Sequence, residues 1–296
     1  MASFIVSAFS DEASLSLDEQ IRALRENGVR YMEIRNVDGK NPTSMTEEEL
    51  DALRRKLDEN GISVSSIGSF IGKYNMDVDQ NDVRKAVENA VRAAHILGAR
   101  YIRLFSYFMK PEEYDQNREV VMQRMQEMID YIRANDVIPC HENESGIYGQ
   151  NPDRVADLLA SVDGLRGVFD AANYIAHGCD VMEGFMATLP ALEYIHVKDA
   201  IRKEDGGRYI MPCGEGEGHY AEIFDLVDKA IDGPVFLTVE PHLMEFAGYA
   251  DMDKLELKGI HSYGDNMEAF AAAVNALHDT LKTLGFKKGD NFVWKR

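Results

Sequence analysis

Four side chains stand out as a donor set for chemistry: Glu142, Asp170, His196 and Glu240. Each closes a short β-rich run in the second half of the chain. Three carboxylates and one imidazole are a mainly hard ligand set, suited to one divalent ion such as Mn²⁺, Mg²⁺ or Co²⁺ and compatible with Zn²⁺. Charges brought together away from water are costly unless they pair or bind a cation. Taken singly, each has a plainer reading. A strand-end acid commonly caps a helix or faces solvent, and a lone histidine is commonly a hydrogen-bonded structural residue. No local ligand spacing such as H-E-x-x-H joins the four, so only a fold that gathers strand ends can make them a site. Further polar residues crowd the same ends: Glu33 and Arg35, Arg103, His141 with Asn143 and Glu144, Asn173, Lys198 with Asp199, and His242.

The elements that must do this gathering alternate along the chain. The expected strands run from Phe4 to Phe9, Tyr31 to Asn36, Ser63 to Phe70, Arg100 to Ser106, Val137 to Glu142, Gly167 to Ala171, Tyr194 to Lys198 and Val235 to Glu240. Between them lie stretches of helical period, for example Leu17, Ile21 and Leu24. Turn residues precede several strands: Gly28, Gly61, Gly98 and Gly233, with Asn135 and Asp136 doing the same job once. Eight βα units point to an α/β fold, a single (β/α)₈ TIM barrel spanning residues 1–296, whose strand C-termini form the active site. A doubly wound open sheet is the fold-level rival. It calls for a glycine-rich phosphate loop after an early strand, and this chain has Ser10-Asp11-Glu12 there instead.

Composition narrows the function. The chain has 296 residues, with 32 Lys and Arg against 51 Asp and Glu, a net charge of −19. That field repels phosphate backbones and anionic lipid, so neither nucleic acid nor membrane is an expected partner. No apolar run approaches the ~18 residues needed for a bilayer span. The start, MASFIVSAFSDE, lacks a basic flank and reads as a buried strand rather than a signal peptide. Cys140, Cys179 and Cys213 are widely spaced and are expected to be reduced thiols in a cytoplasmic protein. G-E-G-E-G at 214–218 is read as a turn, since its glutamates oppose phosphate. The long connection from Leu243 to Gly264, with Phe246, Tyr249, His261 and Tyr263, is read as a lid, an oligomer contact or a passive insertion. A homo-oligomer is the expected assembly.

The ordered set H-E-N-E at 141–144, F-D-A-A-N at 169–173, Y-I-H-V-K-D at 194–199, G-E-G at 214–216 and V-E-P-H at 239–242 resembles the sugar phosphate isomerase/epimerase superfamily, the xylose isomerase-like TIM barrels. The resemblance implies metal ligation by Glu142, Asp170, His196 and Glu240, with Glu142 and Glu240 as the acid/base pair. It implies substrate-touching or bracing roles for Lys198, Asp199, His141 and Asn173, with Glu144 and His242 placed beside them, and an arginine of ketose epimerases at Arg202. S-D-E at 10–12, E-I-R at 33–35 and G-S-F-I-G-K at 68–73 resemble one bacterial subgroup, which puts Glu33, Arg35, Lys73 and Arg103 in the sugar pocket; salt bridges across the barrel top are their plainer reading. Endonuclease IV shares the superfamily fold but needs a histidine-rich multi-zinc site that this chain lacks. The implied activity is a metal-dependent isomerase or epimerase of a small sugar, sugar phosphate or related polyol ketone, working through an enediolate. A dehydratase of the inosose dehydratase kind and a catalytically silent carbohydrate-binding barrel are the alternatives.

Overall fold

The computed structural model describes residues 1–204, 206–246 and 260–296. Tyr249, part of the long connection noted above, lies outside them. Eight parallel strands rich in Val, Ile, Leu and Phe form the centre, as expected for strands covered on both faces. They are β1 (Ala2–Ala8), β2 (Tyr31–Ile34), β3 (Ser63–Gly68), β4 (Tyr101–Leu104), β5 (Ile138–Glu142), β6 (Arg166–Asp170) and β7 (Leu192–Val197), then β10 (Gly233–Val239) after an intervening hairpin. Each pairs with its neighbour, and β1 pairs with β10 from Ala2↔Gly233 to Ala8↔Val239, which closes a barrel. All eight expected strands are present, their ends within two residues of the sequence reading.

The connecting helices follow local rules. Helix α1 (Leu17–Glu26) buries Leu17, Gln20, Ile21 and Leu24, one face at helical spacing. Helix α2 (Glu47–Glu59) opens on a Thr46/Glu49 capping box. Helix α3 (Gln80–Leu97) is capped by the Asp79 side chain and stops at Gly98, whose φ of 70° a side chain would strain. Asp136 does the equivalent job before β5 at φ 59°. Helices α4 (Tyr114–Ala134), α5 (Pro152–Ser161), α6 (Ala171–Ala176), α7 (Val181–Thr188), α8 (Tyr220–Ala230) and a last helix, Asn266–Thr283, complete the ring.

Inside the barrel, Tyr101, Cys140, Val168 and Tyr194 form a packed floor, with Tyr101 5.3 Å from Tyr194 and 6.2 Å from Phe236 between ring centres. Two additions were not legible in the spacing. A hairpin, β8 (Asp199–Arg202) with β9 (Arg208–Met211), leaves the barrel top after β7. A second, β11 (Lys287–Lys288) with β12 (Val293–Lys295), pairs Trp294 and Val293 with Phe4 and Ile5 and seals the lower end. All three cysteines are free thiols. No helix among the described residues is long and apolar enough to cross a membrane.

Candidate metal centre and active site

The strand pleat decides what the barrel top presents. Side chains two apart share a face, so on β5 Cys140 and Glu142 turn inward while His141 turns out, its Nε2 3.0 Å from Ser106 Oγ. By the same rule Arg103, Asp170, His196 and Glu240 stand above the floor residues. Glu142, Asp170, His196 and Glu240 are all buried, and their ligand atoms lie within 4.8 Å of one another.

The ligand set is held by a dense polar scaffold. His196 Nδ1 is 3.0 Å from Glu142 Oε1, and its Nε2 is 3.1 Å from Glu33 Oε2. Asp170 caps α6, its Oδ1 accepting from the Asn173 N–H at 3.2 Å. Asn143 bridges the Asp170 backbone in both directions, and Asn173 Nδ2 donates to Asn143 O at 2.9 Å. That scaffold leaves Oδ2 of Asp170 for other work. Glu142 Oε2, Asp170 Oδ2 and Glu240 Oε2 are buried and turned towards cationic side chains. Their neighbours are cations: Arg103 Nη1 lies 3.3 Å from Glu142 Oε2, and Lys198 Nζ lies 2.8 Å from Asp170 Oδ2 and 3.3 Å from Glu240 Oε2. Buried carboxylates are costly unless cations offset their charge. Three of them converging beside an imidazole nitrogen fit a divalent cation of the hard or borderline kind.

The electrostatics are strongly coupled. Burial pushes the Asp170 carboxyl up to about 6, against the pull of Lys198. Burial also raises Glu142 and Glu240, but there the neighbouring cations win. His196 and Arg103 hold Glu142 below the usual range, and Lys198, His242, His196 and Arg35 hold Glu240 well below it. Burial disfavours the His196 cation, yet Glu142 and Glu33 lift that ring to about 10.

Above the cluster is a narrow cleft of about 20 Å³, lined by Arg35, Phe70, Lys73, Arg103, Glu142, Glu144, Lys198, Glu240 and His242. Arg35 is gripped by both Asp11 oxygens at 2.9 and 3.0 Å, by Glu12 Oε1 at 3.1 Å and by Glu240 Oε1 at 3.2 Å. Phe9 separates the two arginines, 4.3 Å from the Arg35 guanidinium and 5.2 Å from that of Arg103. Lys73 Nζ pairs with Glu144 Oε2 at 2.8 Å. Glu12 also holds His242, accepting its backbone N–H at 2.6 Å and standing 2.9 Å from its Nδ1. A groove between α3 and α4, lined by Val83, Arg124 and Tyr131, carries no comparable cluster.

Of the expected substrate residues, Arg35, Lys73, Arg103, Glu144, Lys198 and His242 line the cleft. Five others stand elsewhere. Glu33 lies beneath His196 and is 1% exposed. His141 faces away from the barrel interior, and Asn173 is fixed between Asn143 and Arg208 Nη1. Asp199 accepts the N–H groups of Ala200, Gly214, Gly216 and Gly218, so it fastens the 214–218 loop. Arg202 is exposed at the end of β8 and donates to Cys179 O at 3.4 Å. The hairpin carries it off the barrel top, which is why a sequence match six residues after His196 does not put it in the cleft.

Asp11, Glu12, Ser66 and Tyr194 were not singled out as site residues. Tyr194 was within reach of the period-two rule, being two residues before His196. The other three owe their place to neighbouring strands rather than to local pattern.

A comparison with curated proteins finds no match. Solved structures do. A xylose isomerase-like TIM barrel protein from Mycobacterium smegmatis in complex with magnesium is 18% identical, with a TM-score of 0.67 covering 95% of this chain and 97% of that one. A D-psicose 3-epimerase from Clostridium cellulolyticum H10 with D-tagatose is 14% identical, with a TM-score of 0.71 covering 95% and 99%. A probable 3-DHS dehydratase, AsbF, from Bacillus anthracis is 17% identical, with a TM-score of 0.67 covering 94% and 99%. At such identities these likenesses establish a shared fold. The family model for xylose isomerase-like TIM barrels matches residues 21–276, most of the chain. With the closed barrel and its strand-end cluster, that match settles the family: the chain belongs to the xylose isomerase-like TIM barrels.

Proposed function

We propose that this barrel is a divalent-metal-dependent isomerase or epimerase of a small carbohydrate, working by proton transfer at a carbon next to a carbonyl. The observation that carries the reading is the convergence of three buried carboxylates and the His196 ring, with ligand atoms within 4.8 Å of one another. Glu142, Asp170, His196 and Glu240 would hold the ion. When bound, it supplies Lewis-acid polarisation of a substrate oxygen.

The chain's own residues do the rest. Glu142 and Glu240 both border the cleft and act as the proton carriers. One removes the carbon-bound proton. The other, ionised at rest, returns a proton it has first taken from water, which inverts the centre; or the first glutamate hands its own proton to the adjacent carbon, which moves the carbonyl. Nearby cations hold both glutamates ionised, which readies them to accept a proton and makes them weak bases. The substrate proton must therefore be acidified by more than the glutamates are weakened. Lys198 and Arg103, buried beside the same carboxylates, stabilise negative charge growing on an enediolate oxygen. Phe70 is the apolar side chain in the cleft lining.

Elimination of water is the second reading, favoured by the structural likeness to a probable dehydratase. A hydroxyl β to the carbanion would leave under the same machinery, and the product would be lighter by one water. The test is a panel of sugars, sugar phosphates and polyol ketones assayed with Mn²⁺, followed by exchange of the carbon-bound proton with deuterated water. Glu142→Gln and Glu240→Gln are each expected to abolish exchange while the circular dichroism spectrum stays that of the wild type. Full exchange in both variants would refute the assigned roles.

A further inference from the structure

An imidazole ligates a cation through its unprotonated nitrogen, and a partner that holds the other nitrogen fixes which one is offered. His196 points Nδ1 into the cluster, 3.0 Å from Glu142 Oε1 and 3.6 Å from Glu240 Oε2. Its Nε2 points the other way, to Glu33 Oε2 at 3.1 Å. Glu33 differs from the cluster carboxylates in a telling respect. Each of those turns one buried oxygen towards Arg103 or Lys198 beside the cleft, whereas the two oxygens of Glu33 meet Tyr194 and His196. The second accepts from Tyr194 Oη at 3.0 Å, and that hydroxyl meets Ser66 Oγ at 3.1 Å. Glu33 does not border the cleft. The rings of Phe9 and Tyr194, centred 5.1 and 5.5 Å from that of His196, restrict its tilt.

We propose that Glu33 is a positioning residue that holds His196 by Nε2 so that Nδ1 is offered to the metal, itself fixed from the barrel floor by Tyr194 and Ser66. The proposal rests on the metal-centre reading above. A ligand whose orientation is fixed in advance binds more tightly, and loss of such outer partners lowers metal affinity roughly 10- to 100-fold. The geometry also explains why strand β2 carries an acid with no open oxygen in a site crowded with acids.

The full chain, stripped with chelator, is titrated with Co²⁺ by calorimetry while its visible absorption bands are recorded, in wild type, Glu33→Gln and Tyr194→Phe. The expected result is affinity weakened about 10- to 100-fold in Glu33→Gln, with altered Co²⁺ bands and an unchanged circular dichroism spectrum. Tyr194→Phe keeps the ring and loses only the hydroxyl, so it should weaken affinity by less, in the same direction. Wild-type affinity and bands in Glu33→Gln would overturn the proposal and leave the metal centre standing. Absence of Co²⁺ binding by the wild type would overturn both. If Glu33→Gln does not fold, Tyr194→Phe decides: weakened binding supports the role, and unchanged binding overturns it.

Discussion

At Asp199 the N–H groups of Ala200, Gly214, Gly216 and Gly218 converge on one carboxylate. Those hydrogen bonds oppose the upward push of burial on its pKa. The G-E-G-E-G stretch follows from this, because a Cβ at Gly216 would come within 2.3 Å of Asp199 Oδ1. Replacing Asp199 by Ala strands two buried and two part-buried donors. At about 1 kcal/mol for each lost bond, the cost should reach ~3 kcal/mol or more in urea unfolding. Asp199→Asn, which keeps an acceptor, should lose less. Equal losses in the two variants would show that the latch is not what stabilises the loop. At this scale sequence inspection saw the right residue and assigned it a different task, since a strand-end Asp looks the same whether it meets substrate or backbone.

The last helix shows how an element carries a pH dependence. His278 sits on it, 8% exposed, with its ring 5.1 Å from that of Trp294 on β12. Its Nε2 has no hydrogen-bond partner. Burial, with Lys288 and Lys282 nearby, lowers its pKa from the usual 6.5 to about 4. The unfolded chain therefore binds a proton that the folded one refuses, and stability falls as pH drops from 6.5 towards about 4. Thermal midpoints across that window should fall less steeply for His278→Phe than for the wild type; parallel slopes would refute this origin. Strands and helices were largely legible, because apolar period and turn residues are local. The β8–β9 hairpin was not, since V-K-D-A-I-R reads as a continuation of strand seven. The Asp205-Gly206 pair that follows was the available signal for a hairpin.

For the whole molecule, closing β1 against β10 has the largest consequence. It carries Asp11 and Glu12 to Arg35, Glu240 and His242, linking residues up to 230 positions apart. A barrel that concentrates buried carboxylates at one end should be stabilised by a cation that binds only the folded state. At a free ion concentration about 100 times Kd the gain is ~2.7 kcal/mol. Addition of Mn²⁺ to chelator-treated protein should accordingly raise its thermal midpoint, and Asp170→Asn should blunt the rise. A midpoint indifferent to Mn²⁺ at every concentration would remove the metal from the account.

Sequence alone determined the eight strands and the barrel, because hydrophobic period and turn chemistry are written locally, and it marked four strand-end residues that the fold brings together. Tertiary structure decided which neighbours serve them. Glu33 and Arg35 show the difference: two residues apart at the same strand end, one lies under His196 and the other borders the cleft. What separates them is one pleat repeat along the strand, which sets Arg35 a layer nearer the barrel mouth than Glu33, where adjoining strands supply different neighbours. Strand pairing is a long-range property, and no span of neighbouring residues contains it.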